Sequence, residues 1–114
     1  ATSATNENAY DTAKRSLKTA KDSKTLAIQN AYNTILSLES QHESARTALS
    51  QAEAAYRVAQ INLEAGNTTA ITVEQAKLAV EQAENAVRQL EYAHDMQIYQ
   101  FENTELLSSS GSAQ

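Results

Sequence analysis

An apolar stripe with a helical period runs along almost this entire sequence and is interrupted at one place. Tyr10, Ala13, Leu17, Ala20, Lys24, Ala27, Ala31, Ile35, Leu38, His42, Ala45, Leu49, Ala52, Tyr56, Ala59 and Leu63 follow one another by steps of three and four. Only Lys24 and His42 break its apolar character. A half-buried strand would alternate every second residue; steps of three and four mark the seam of a helix that pairs with another helix. The stripe stops at Gly66 and resumes as Val73, Ala76, Val80, Ala83, Val87 and Leu90. Two seams around one break predict an all-α fold, a long antiparallel helical hairpin of the coiled-coil type.

Composition points the same way. Among the 114 residues there are one Phe, one Met, no Trp, no Pro and two Gly, and much of the apolar content is Ala. Ala is the strongest helix former, but it buries little area, so a rounded core would be thin. Both glycines, Gly66 and Gly111, lie outside the periodic segments.

The expected organisation follows from these breaks. Residues 1–8 read as a flexible polar tail, with Asn6 or Asn8 available to cap the first helix. The first helix is expected over about residues 9–65, with Asp22-Ser23 as its one soft spot. Residues 66–72 form the turn, with Gly66 as a left-handed helix end. Thr69 or Thr72 is placed to cap the second helix, and Thr72 with Gln75 has capping-box spacing. That helix is expected over about 73–107, followed by a flexible tail at 108–114. Closing the hairpin at this turn sets Leu63 opposite Val73, Tyr56 opposite Val80, Leu49 opposite Val87 and Ile35 opposite Phe101. The first helix is longer than the second. Ala13, Leu17 and Ala20 therefore carry a seam with no partner in the chain, and self-association is expected to complete it.

The same register sets His42 opposite His94. The pair is a candidate metal or pH-sensitive layer, with Glu39 and Gln97 nearby; the competing reading is a polar layer that sets register. The carboxylates of the second helix read as a solvated face. The five Tyr read as packing residues with a wet hydroxyl. No nucleophile motif, phosphate loop or metalloprotease motif is present, so no catalytic residue and no cofactor is expected, and the chain reads as a non-enzyme. Zero Cys removes disulfides and thiolate metal sites. No run of 18 apolar residues occurs, so no membrane-spanning helix is expected. Residues 1–24 carry five basic and three acidic residues, a net of +2, and residues 25–114 carry four basic and eleven acidic, a net of −7. That acidic balance argues against nucleic acid as a partner.

The turn and its flanks resemble a known family. The stretch from Ala31-Tyr32 through LEAGNTTAITVEQAKLAV to Ala93 is similar to the α-helical repeat of TolC-like outer-membrane efflux proteins, and the resemblance covers roughly residues 9–107. There an Ala-Tyr pair and a run of Ala at coiled-coil spacing precede a Gly, a short Ser/Thr loop, an aliphatic residue and a Val. Gly66, Thr69, Ile71, Thr72, Val73 and Ala76 fall on that pattern, with Thr72 where Asp is usual and Lys77 where Gln is usual. The resemblance implies an α-barrel hairpin in the cell envelope, on the periplasmic or extracytoplasmic side, acting in export through homo-oligomeric assembly. Its tip (Gly66, Asn67, Thr68, Thr69, Ile71 and Thr72) would meet a periplasmic adaptor protein. No strand segment is apparent, so a fragment of a larger exported protein, or a relative lacking the β-barrel, is expected. Two alternatives stand beside it. One is the hairpin of a periplasmic adaptor, although adaptor tips usually carry Arg-Leu where this chain has Asn62-Leu63. The other is a free-standing coiled-coil interaction protein with no transport role.

Overall fold

A computed structural model describes the backbone of residues 2–112 and the side chains of residues 4–104. It contains two helices, α1 (Thr2–Glu64) and α2 (Ala70–Ser112), and no strand among the described residues. The fold is an all-α helical hairpin.

The helix ends differ from those expected. The first helix starts at Thr2, not near residue 9, because no Gly or Pro between Thr2 and Asn8 stops it; neither Asn6 nor Asn8 is its cap. It also passes through Asp22-Ser23 without a break. Modest propensity at two residues does not outweigh the hydrogen bonds on either side. The second helix starts at Ala70 and runs through Gly111 to Ser112, beyond the expected end at 107.

The turn occupies residues 65–69 and is closed from both sides. Gly66 has φ +76°, in the left-handed region. Its N–H donates to the Leu63 carbonyl at 3.0 Å, and the Asn67 N–H donates to the Asn62 carbonyl at 2.8 Å. These two crossed bonds form a Schellman motif, which satisfies carbonyls the helix end would otherwise leave open. On the far side Thr69 caps α2: the Thr72 N–H donates to Thr69 Oγ1 at 3.3 Å. The two Thr hydroxyls also bond each other at 3.0 Å. Thr72 is thus the third residue of α2, inside the helix, and the expected Thr72–Gln75 capping box is not used. Ile71, expected in the turn, lies in the first turn of α2 and is exposed.

Space at Gly66 is open, since a Cβ there would meet nothing within 4 Å. Any cost of substitution is therefore conformational. Gly66→Ala should lower stability by about 1 kcal/mol, the penalty for an L-residue at positive φ. A urea titration followed by circular dichroism checks it; no loss would mean the turn relaxes out of the left-handed conformation.

The chain divides into two units, Ala1–Asn33 and Thr34–Gln114. In the first, α1 is exposed on every described side chain except Ile28 and Ala31, which are half-buried. Tyr10, Leu17 and Leu26 are 68%, 57% and 57% exposed. In the second unit the end of α1 packs antiparallel on α2. Ile35, Leu38, His42, Ala45, Leu49, Ala52, Tyr56 and Ala59 are covered on one side of the seam. On the other side Val73, Ala76, Val80, Ala83, Val87, Leu90, His94, Gln97 and Phe101 are covered. Among the described side chains Ala59 and Val87 are the most covered, each 8% exposed, so this is a thin seam with no deep core. Leu63 was expected to end the α1 seam, but it is exposed and Asn62 is half-buried in its place. A step of three from Ala59 carries the covered face to Asn62, one residue before the helix closes into its cap.

Candidate functional site

Two places in the second unit gather functional groups. The first is the tip. Gly66, Asn67, Thr69, Ile71 and Thr72 are exposed there, while Thr68 is half-buried. Shallow grooves flank it. One is lined by Ile71, Glu74, Lys77, Leu78 and Glu81, the other by Arg57, Ile61, Leu63 and Val73. The tip is a rigid knob, pinned by the Schellman motif on one side and the Thr69 cap on the other. Its exposed apolar atoms are those of Ile71, Ile61 and Leu63.

The second is a polar layer within the seam. His42 and His94, set opposite each other by the expected register, each bond a Glu of the opposite helix. His42 Nε2–H donates to Glu91 Oε1 at 3.0 Å, and His94 Nε2–H donates to Glu39 Oε1 at 3.1 Å. An ionised carboxylate only accepts, so Nε2 carries the hydrogen in each ring. Both pairs line one cleft of about 360 Å³, together with Asp95, whose Oδ1 lies 3.8 Å from His94 Nδ1. The imidazoles are about three-quarters covered and the two carboxylates are about half exposed.

Glu91 was assigned to a solvated face, and its partnership with His42 was missed. A signal was present: each His stands three residues after a Glu, as Glu39-Ser40-Gln41-His42 and Glu91-Tyr92-Ala93-His94. That spacing puts both side chains on one face of a helix. Gln97, expected beside the histidines, is half-buried. Among the described residues, no three His, Asp or Glu side chains surround a common point suited to a metal ion as they stand. Nor is any described helix long and apolar enough to cross a membrane.

A third feature was not anticipated. Of the five Tyr, only Tyr56 packs in the seam; Tyr10, Tyr32, Tyr92 and Tyr99 are 55–69% exposed. On α2, Ile71, Leu78, Tyr92 and Tyr99 recur in steps of seven, with Asn85 filling the gap, on the face opposite the seam. The four apolar members are 71%, 53%, 69% and 61% exposed. That position is normally the most polar of a heptad, because it points farthest from the partner helix.

No family model, curated protein or solved structure matches this chain.

Proposed function

We propose that this chain is a non-catalytic assembly module of the cell envelope. In this reading, hairpins pack side by side into a larger helical wall that serves export, and the tip docks a periplasmic adaptor. The observation that carries it is the second apolar stripe, Ile71, Leu78, Tyr92 and Tyr99, on the back of α2. A hairpin that worked alone would need one seam, and its own helices already fill that. A second stripe at heptad spacing supports a neighbour on the outer face, as a wall of hairpins requires. The resemblance of roughly residues 9–107 to the TolC-like repeat supplies the envelope and export parts of the proposal. The pinned tip supports the docking part, since loops held by rigid elements are common recognition surfaces.

The test replaces Thr68, Thr69 and Ile71 together by Ala and measures capture of a purified periplasmic adaptor hairpin by surface plasmon resonance. Binding should fall about tenfold or more, while helicity and self-association persist. Capture that survives the replacement would overturn the tip assignment. No capture by the unaltered chain would overturn the export reading and leave a free-standing coiled-coil protein.

A further inference from the structure

The histidines and the glutamates at positions 39 and 91 form a set with approximate two-fold symmetry. Each helix of the hairpin contributes one Glu-x-x-His segment, and antiparallel packing sets each Glu against the other helix's His. Glu-x-x-His on facing helices is a way helical bundles aim two nitrogen and two oxygen donors into one interhelical space. These are also the only two His in the chain, and both lie in this layer.

We propose that this layer binds one divalent first-row transition-metal ion, of the zinc or cobalt type, between the two helices. His42 and His94 supply Nε2, and Glu39 and Glu91 supply carboxylate oxygens.

The chemistry fits a borderline cation. Imidazole and carboxylate together suit zinc, cobalt and nickel, and four such donors complete a tetrahedral set. The donors are already paired at 3.0 and 3.1 Å. In a tetrahedral set two donors each about 2.1 Å from the metal stand about 3.4 Å apart, so each pair opens by a few tenths of an ångström. A metal at Nε2 takes the place of the hydrogen that each ring now donates to a carboxylate. The ring hydrogen then resides on Nδ1, and in His94 that atom points toward Asp95, 3.8 Å away. A carboxylate behind a ligating imidazole fixes ring orientation and raises its basicity.

Three donors do not yet share a centre, because each carboxylate is turned to its own imidazole. The adjustment falls on Glu39 and Glu91, whose side chains are 55% exposed and free to swing. Bound metal would join α1 to α2 near the middle of the hairpin and lock its register, which Ala-rich seams specify weakly.

The experiment titrates the full chain with cobalt(II) chloride and separately with zinc chloride. Visible absorption follows cobalt, and thermal unfolding follows both. One ion per chain is expected, with cobalt d–d bands of tetrahedral intensity and a rise in melting temperature that saturates with metal. His42→Ala and His94→Ala should each weaken binding about tenfold or more and abolish the bands. Their helicity without added metal shows whether they remain folded. Glu53→Gln, outside the layer, should bind as the unaltered chain does. Absence of bands and of any melting shift at millimolar metal would overturn the proposal. So would binding that survives both His replacements, or a stoichiometry of one ion per two chains.

Discussion

Val87→Asp is expected to cost the hairpin about 3 kcal/mol, shown as a large drop in urea midpoint by circular dichroism at 222 nm. Val87 is 8% exposed and, with Ala59, the most covered of the described side chains. A carboxylate placed there loses water and gains no partner. The same change at Val58, which is 56% exposed, should cost about 0.5 kcal/mol or less. Equal losses at the two positions would mean that α2 does not pack through the Val73–Leu90 face.

Leu17→Asp is expected to disrupt self-association. Leu17 lies in the first unit, where Tyr10, Leu17 and Leu26 leave apolar surface in water. Covering a Leu side chain contributes roughly 1.5–3 kcal/mol. A two-fold pair loses that contact twice, so the dissociation constant should rise by about 100-fold or more. Sedimentation velocity at high micromolar concentration should find an oligomer for the intact chain and a smaller species for the variant. A monomer for the intact chain would refute the expectation. Charge adds a second handle. Residues 1–24 are net positive and the remainder net negative, so an association that joins them should weaken as salt rises.

Much of the hairpin could be read from residue spacing alone. Steps of three and four from Ile35 to Ala59, and from Val73 to Leu90, can bury one continuous face only in a helix. With Gly66 the sole helix-breaking residue between them, the place of the turn was determined as well. These are local properties: each depends on a few neighbouring residues and on backbone geometry, and no distant contact can alter them much.

Side-chain partners and outer faces were decided by the tertiary structure. Spacing sets His42 opposite His94, but only the packed pair of helices shows that each imidazole bonds a Glu of the other helix. Both Thr69 and Thr72 satisfy the chemistry of a helix cap, and the path of the chain out of the Schellman motif selects Thr69. Tyr92 and Tyr99 look like seam residues by type, but packing leaves them on the back of α2, because the seam's width admits only the positions nearest the partner helix. Periodicity belongs to one helix and is written in its sequence; side-chain partners and exposure belong to a pair of helices and exist only once they are packed.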